Sequence, residues 1–234
     1  MNTRFSEAIL HPRGGDIGLI AEIKLQSPSS GTFTSFSTST LGKREEMDKR
    51  IKAYEIGGAD ALSLVVAKDG FGGDVGMIEE AKKITHLPIF AKDFITGPEK
   101  IVLFKEKGAD SVLLIAKIVD RATLKRLVQK AFELSMEPVV EVQNEEELKS
   151  AFATNTKIIA VNARDLGNFS LDIKRACILL KDIPSGYIKL AFSGVKTRRD
   201  VLKYKNAGAQ GVLVGTTLMK ADRPDTLLKE LKGI

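Results

Sequence analysis

Eight short segments of the chain are apolar at nearly every position, and each is followed by a segment with helical periodicity. The apolar segments read GLIAEI, ALSLVV, PIFA, SVLLIA, PVVEV, KIIAVN, YIKLAF and GVLVG, and the helical ones include PEKIVLFKEKG and ATLKRLVQKAFELS. Strands that are apolar throughout are typical of a parallel sheet covered by helices, because both faces of the sheet are then buried. Eight such units predict one α/β domain, a single (β/α)8 TIM barrel over residues 1–234. A doubly wound open sheet is the alternative architecture.

Short motifs mark the boundaries between these units. Gly-Ala-Asp at 58–60 and 108–110 and Gly-Ala-Gln at 208–210 lie between a helical segment and the next strand, where a glycine is expected to end the helix. Residues 1–17 form a short extension before the first strand. Residues 26–43 are rich in Ser and Thr and lack a helical period, which predicts a long mobile loop after that strand. Such a loop either closes over a site or is a slack surface connection.

Composition and charge limit the possible partners. The chain has 43% hydrophobic and 28% charged residues and a net charge of +6, but Lys and Arg alternate with Glu and Asp along the predicted helices. This pattern disfavours nucleic-acid binding, whereas a modest positive field favours a small anionic substrate. No apolar stretch approaches the ~18 residues of a membrane span. With Cys177 as the single cysteine and no secretory signal, we expect a cytoplasmic protein, and we expect it to be a monomer.

Charged and polar residues are concentrated where the predicted strands end. The first strand ends in Glu22 and Lys24, which lie two residues apart and therefore point to the same face. A half-exposed antiparallel strand is an alternative explanation for that pair alone. The carboxyl ends of barrel strands meet at one mouth, where active sites lie. The later strands bring to the same mouth Lys92 and Asp93, Glu141, Asn162 and Arg164, and Ser193. This concentration favours an active site.

Two kinds of chemistry are predicted at this mouth. Ammonium and carboxylate groups in a partly desolvated pocket can act as proton donor and acceptor. The loops after the seventh and eighth strands read FSGV and LVGTT, and such glycine loops bind phosphate in many barrels. The candidate phosphate ligands are Ser193, Gly194, Gly215 and Thr216, with Lys24 reaching in from the first strand.

Other reactive residues are poorly placed for catalysis. His11 precedes the first strand, His86 lies in a turn at the opposite end of the barrel, and Cys177 falls within a helical segment. HExxH, CxxC and carboxylate clusters with ligand spacing are missing from the sequence, so we expect no metal.

Six segments also resemble a known family. IAEIKLQSPSSG, PIFAKDFI, GADSVLLIAKI, PVVEV, VNARDL and LVGTTLM are similar, in order, to signature segments of indole-3-glycerol phosphate synthase, from about Leu19 to Met219. The resemblance implies a carbon–carbon lyase of tryptophan biosynthesis with a (β/α)8 barrel. Its reaction closes the indole ring of 1-(2-carboxyphenylamino)-1-deoxyribulose 5-phosphate with loss of CO₂ and water, without cofactor or metal.

The resemblance also implies a role for each candidate residue. Lys92 is similar in position to the general acid that protonates the substrate carbonyl. Glu141 corresponds to the residue of the later dehydration, with Glu22 assisting, and Lys24 to a phosphate and substrate anchor that also can donate a proton. The substrate-binding residues implied in this way are Asn162, Arg164, Ser27, Phe71, Phe94 and Leu113. For the last three, ordinary core packing is the alternative.

The chain departs from the family pattern at several positions. Phe192 stands where the family usually has Glu before Ser-Gly, and Val66-Ala67 stands where it has Thr-Glu. Leu25 replaces a basic residue, and the extension before the barrel is shortened to residues 1–17. Two alternatives to this enzyme stay open, and the changes favour the first of them. One is a weakened or re-engineered barrel that binds a phosphate ligand; the other is a different phosphosugar barrel enzyme, such as phosphoribosylanthranilate isomerase.

Overall fold

A closed barrel of eight parallel strands forms the centre of the molecule. A computed structural model gives the structure of residues 3–27, 31–33 and 40–234. The strands are β1 (Gly18–Ile23), β2 (Ala61–Val65), β3 (Ile89–Lys92), β4 (Ser111–Ile115), β5 (Glu137–Val142), β6 (Ile158–Asn162), β7 (Ile188–Phe192) and β8 (Gly211–Val214). Each strand pairs with the next, and β8 pairs with β1. The predicted TIM barrel is confirmed, and the open sheet and the antiparallel first strand are wrong.

Helices cover the outside of the barrel. In the described part of the chain they are α1 (Arg4–Leu10), α2 (Thr40–Ile56), α3 (Gly76–Ile84), α4 (Glu99–Glu106), α5 (Arg121–Glu133), α6 (Glu145–Phe152), α7 (Ile173–Asp182), α8 (Arg198–Asn206), α9 (Thr216–Met219) and α10 (Pro224–Lys232). The apolar faces of the strands and helices meet in one core between the two layers. A second apolar cluster fills the inside of the barrel.

The segment 26–43, predicted as a loop, contains regular structure. Gln26–Ser27 pairs with Gly31–Thr32 in a short antiparallel hairpin, and α2 begins at Thr40. The sequence gives little sign of either element. The hairpin is only two residues long on each side, and the first turn of α2 contains Thr and Gly, which are weak helix formers. Residues 28–30 and 34–39 lie outside the described residues, so the mobility of this loop stays a prediction.

The N-terminal helix closes the bottom of the barrel, the end opposite the predicted site. Phe5 and Ile9 on α1 are fully buried among side chains from the inside of the barrel. The Glu137 carboxylate, at the start of β5, accepts hydrogen bonds from the backbone N–H groups of Phe5 at 2.9 Å and Ser6 at 3.1 Å. A carboxylate at the first turn of a helix satisfies free N–H groups and complements the helix dipole.

The three predicted glycine turns are confirmed by their backbone angles. Gly58, Gly108 and Gly208 have φ values of 83°, 95° and 95°, in the left-handed region that favours glycine. After each glycine, a polar residue at the start of the next unit is joined to the preceding strand. Asp60 donates its N–H to the Leu19 carbonyl at 2.9 Å, and its carboxylate accepts the Leu19 N–H at 2.7 Å. The same pair of bonds joins Asp110 to Ile89 and Gln210 to Lys189.

A buried ion pair ties the end of the chain to the bottom of the barrel. The Lys232 ammonium of α10 is inaccessible to solvent and lies 2.8 Å from the Asp60 carboxylate. It also donates to the carbonyls of Gly58 at 2.6 Å and Arg13 at 3.0 Å. Burial raises the pKa of Asp60 and lowers the pKa of Lys232, while each partner acts in the opposite direction on the other. Every donor and acceptor of this pair has a partner. Removing one of the two charged side chains would therefore leave the other buried without a counter-charge, at a large desolvation cost.

We expect Asp60→Ala to lower the free energy of unfolding by about 3–5 kcal/mol, because it leaves the Lys232 ammonium buried without a counter-charge. Urea denaturation followed by circular dichroism measures this loss. Arg223→Ala is the control, since it breaks an exposed ion pair with Asp225 and is expected to leave the urea midpoint unchanged. Equal midpoints for the two variants would contradict the structural role of the buried pair.

Candidate active site

One pocket opens at the carboxyl ends of the strands, and the predicted site residues line it. The pocket-lining residues that the sequence predicted are Glu22, Lys24, Phe71, Lys92, Phe94, Leu113, Glu141, Asn162, Arg164, Ser193, Gly194, Gly215 and Thr216. Ser27 belongs to the hairpin after β1, but its side chain lies outside the described part of the structure. The predicted contact of Ser27 with a substrate therefore stays a prediction.

A buried carboxylate with two ammonium partners lies at the centre of the pocket wall. Glu22 Oε1 lies 2.8 Å from Lys24 Nζ, and Glu22 Oε2 lies 3.0 Å from Lys92 Nζ. Burial by itself would raise the pKa of Glu22, but the charges and hydrogen bonds of Lys24 and Lys92 outweigh burial and lower it to about 2. Glu22 is therefore ionised at neutral pH, and it fixes both lysine side chains at the mouth.

The pKa of the second carboxylate in the pocket is shifted in the opposite direction. Glu141, on β5, is also buried, and its Oε1 accepts a hydrogen bond from Asn162 Nδ2 at 3.0 Å. Burial raises the pKa of Glu141, although the Lys92 charge and the Asn162 hydrogen bond act in the other direction. Two carboxylates whose pKa values are displaced in opposite directions can divide the work of acid and base between them.

Asn162 connects Glu141 to the neighbouring strand. Its Oδ1 accepts hydrogen bonds from the Ser193 hydroxyl at 2.8 Å and from the Arg164 backbone N–H at 3.0 Å. The same amide thus orients a carboxylate on β5, a loop after β6 and a loop after β7. The Arg164 guanidinium is held over the mouth by a 2.8 Å hydrogen bond to the Phe169 carbonyl.

The two predicted phosphate loops follow the paired neighbouring strands β7 and β8. Ser193 and Gly194 have φ values of 70° and 84°, so the chain turns sharply after β7. A Cβ on Gly215 would overlap the Glu22 carboxylate and lie 3.0 Å from Lys24 Nζ. Glycine at 215 therefore lets the backbone approach the charged groups, and Lys24 lies within reach of an anion bound at these loops.

An apolar wall faces the charged groups. The rings of Phe71 and Phe94 lie 6.2 Å apart between centroids at an angle of 49°, with Phe94 partly exposed at the mouth. Leu113 is almost fully buried and contributes both to the barrel interior and to the pocket. Such a wall can desolvate an aromatic ring beside the polar groups.

Sequence reasoning missed several pocket residues. Phe169 and Leu171, in the loop after β6, line the pocket and are 41% and 40% exposed. Two large apolar residues within the polar stretch GNFSLD are the one signal that could have identified them. Gln143 donates to the Arg164 carbonyl at 2.9 Å and supports this loop, but it lies in a segment read only as a strand end.

The described residues show neither a metal-binding cluster nor a helix with the length and apolarity of a membrane span. Groups of three or more His, Cys, Asp and Glu side chains that could hold a metal ion do not occur among them. Membrane-spanning candidates are likewise missing from the helices of this part of the chain.

Comparison with known structures agrees with the barrel. A 3-hexulose-6-phosphate synthase from Salmonella typhimurium superposes with a TM-score of 0.72 at 15% identity, covering 93% of this chain and 97% of that one. A chain of the tryptophan synthase complex from Pyrococcus furiosus gives 0.67 at 18% identity and covers 94% of this chain and 99% of that one. At these identities the likeness bears on the fold alone.

Comparison of sequences identifies the family. Fold and pocket place the chain in the class of (β/α)8-barrel enzymes. Residues 1–231 match the family model described as indole-3-glycerol phosphate synthase. Proteins of that name from Sulfurisphaera tokodaii and Caldanaerobacter subterraneus are each 38% identical, over 86% and 94% of this chain and 78% and 83% of their own lengths. The chain belongs to the indole-3-glycerol phosphate synthase family.

We expect the stability of the protein to depend on the ionisation of Glu22. Because its pKa falls from an ordinary 4.5 to about 2 in the folded protein, ionised Glu22 stabilises the fold above pH 4.5, by about 3 kcal/mol. That contribution is lost as the pH falls toward 2. The difference in unfolding free energy between wild type and Glu22→Gln should therefore be largest at neutral pH and shrink in acid.

Glu141→Gln is the matched control for this measurement. The raised pKa of Glu141 disfavours its ionised form in the folded protein, so the Gln variant should gain stability relative to wild type as the pH rises. Urea denaturation at a series of pH values measures both differences. The same sign of pH dependence in the two variants would show that the carboxylates do not have opposite environments.

Proposed function

We propose that the protein is an indole-3-glycerol phosphate synthase, which converts 1-(2-carboxyphenylamino)-1-deoxyribulose 5-phosphate into indole-3-glycerol phosphate, CO₂ and water. Family membership supports this reaction. The observation that carries it is one pocket with two lysines on an ionised carboxylate and a second carboxylate of raised pKa. The reaction needs an acid at a carbonyl, then an acid and a base for a dehydration.

In the first step, the ring carbon that bears the carboxylate attacks the ketone carbon of the substrate. Lys92 donates a proton to the ketone oxygen as the carbon–carbon bond forms, which avoids an unstabilised alkoxide. Loss of CO₂ then returns the electron pair to the ring and restores its aromaticity. Lys92 suits this role because Glu22 holds its ammonium at the pocket surface, 3.0 Å away.

In the second step, the hydroxyl formed from the ketone leaves as water. Glu141 is the group for this dehydration, because its raised pKa favours a protonated carboxyl that can give its proton to the leaving hydroxyl. The Glu141 carboxylate formed in this way then accepts a proton from the carbon next to the nitrogen, and the electron pair of that C–H bond forms the double bond of the indole. Glu22 assists by keeping the ammonium groups of Lys24 and Lys92 in place.

The anionic ends of the substrate would be bound by separate parts of the mouth. The phosphate is assigned to the loops after β7 and β8, through Ser193, Gly194, Gly215 and Thr216, with Lys24 beside them. The carboxylate is assigned to Arg164, oriented by the hydrogen bond between its backbone N–H and Asn162. The wall formed by Phe71, Phe94 and Leu113 would contact the anthranilate ring.

The proposal includes the setting in which the enzyme works. We assign it to the cytoplasm, as a monomer that acts on a small anionic molecule and binds no nucleic acid. The single cysteine, Cys177, and the mixed charges along the helices support this assignment. Size-exclusion chromatography with light scattering tests the oligomeric state, and a dimer mass would contradict it.

We expect Lys92→Ala to lower kcat by about 10²–10⁴-fold, the usual contribution of a positioned general acid. Formation of indole-3-glycerol phosphate from the purified substrate, followed by indole fluorescence, measures the rate. Lys83→Ala is the control, because this exposed lysine on α3 pairs only with the surface residue Glu80 in the described structure. Its kcat should equal that of wild type.

Phe192 supports a second candidate function, that of a weakened barrel which binds a phosphate ligand. Its buried ring lies in the pocket where the family resemblance leads one to expect a carboxylate. A wild type as inactive as Lys92→Ala, but with measurable binding of the product by calorimetry, would replace the enzyme by the binding function. Activity toward a different phosphosugar would favour the other alternative, that of a different phosphosugar barrel enzyme.

A further inference from the structure

The ammonium of Lys92 lies against an aromatic ring as well as against Glu22. Its Nζ is 4.8 Å from the centroid of the Phe192 ring, which comes from the end of β7. This distance is within the ~6 Å at which an ammonium is attracted by the negative face of a ring. Phe192 is only 1% exposed and the Lys92 side chain 16%, so the contact is largely shielded from bulk water.

Packing inside the barrel fixes the orientation of that ring. The centroid of Phe192 lies 6.0 Å from that of Phe90 on β3, and the centroid of Phe90 lies 5.3 Å from that of Phe5 on α1. All three rings are 1% exposed or less. They form a continuous aromatic column from the helix that closes the barrel bottom to the lysine at the mouth. A close-packed column of this kind restricts the plane of its last ring.

The two neighbours of Lys92 act on its ammonium in different ways. Glu22 accepts a hydrogen bond and so occupies one of the three N–H donors of Lys92. The face of Phe192 attracts the positive charge without accepting a conventional hydrogen bond, and it adds no negative charge beside Glu22 and Glu141. The ring therefore holds the ammonium in place and leaves donors free for a substrate oxygen.

We propose that Phe192 is a positioning residue for Lys92, which acts through a cation–π contact and is itself held by Phe90 and Phe5. The proposal rests on the proposed function, in which Lys92 is the general acid. It assigns a catalytic purpose to Phe192, one of the positions at which this chain departs from the family pattern. The ring supplies a second attraction on the ammonium, besides that of Glu22.

Stepwise fluorination of Phe192 tests the electrostatic part of this contact. Replacement by 4-fluoro-, 3,5-difluoro- and 3,4,5-trifluorophenylalanine withdraws electron density from the ring face with little change in shape. We expect kcat to fall with each fluorine, by about tenfold for the trifluoro ring, which is the size of a desolvated cation–π contact. KM and the unfolding temperature should change little. A merely structural ring would leave kcat unchanged or lower the unfolding temperature.

The same three substitutions at Phe104 are the control. This ring of α4 is equally buried, at 1% exposure, but packs in the outer core, away from Lys92. Its fluorination should leave kcat at the wild-type value. A flat or rising kcat across the Phe192 series, in an enzyme whose Lys92→Ala variant is inactive, would overturn the positioning role and leave the proposed function intact.

A structural readout keeps the inference testable if the wild type proves inactive, which is the result that overturns the proposed function. A ring face at this distance should shift the Hε resonances of Lys92 upfield in the NMR spectrum, and Lys92→Ala assigns them by their loss. Phe192→Leu keeps an apolar side chain but removes the ring, so these resonances should return to ordinary values. Resonances that are unshifted in the wild type would overturn the inference by themselves.

Discussion

The arrangement of the mouth depends on one buried carboxylate that two ammonium groups share. Removing an ionised carboxyl from water costs several kcal/mol unless partners compensate it. Glu22 is paired with Lys24, which directly follows β1, and with Lys92 on β3. Each lysine is in turn held in one place by the carboxylate. The close approach of Gly215 is part of the same arrangement, because a side chain there would overlap Glu22. Alteration of Glu22 would therefore disturb Lys92, Lys24 and the loop at Gly215 together.

The barrel supplies this site with rigid support from both directions. Around the mouth, the hydrogen bonds from Glu141 through Asn162 to Ser193 join three consecutive strands. Through the interior, the aromatic column connects the mouth with α1. At the bottom, the ion pair between Asp60 and Lys232 joins α10 to the turn between α2 and β2. Residues for chemistry and residues for stability thus occupy opposite ends of the barrel, as in other proteins of this fold.

Much of the fold and of the candidate site could be predicted from the sequence, because those features depend on residues close together along the chain. Apolar runs mark the strands, and a spacing of two places Glu22 and Lys24 on one face. The resemblance to a family supplied the roles of Lys92 and Glu141. Contacts between distant segments left no such signal: the sequence offers no pattern that joins Lys232 to Asp60 or Glu137 to α1. The ring of Phe192 was noticed as a departure from the family, but its position over Lys92 follows only from the closure of the barrel.

The two buried carboxylates of the mouth have opposite protonation preferences, because Lys24 and Lys92 lower the pKa of Glu22 whereas burial raises the pKa of Glu141. Carbon-13 NMR of glutamate labelled at the carboxyl carbon, with Glu22→Gln and Glu141→Gln for assignment, measures this directly. We expect the Glu22 signal to stay at the ionised position at pH 4, since its pKa is about 2, while Glu141 titrates above the ordinary 4.5. Two signals that titrate together near 4.5 would contradict it.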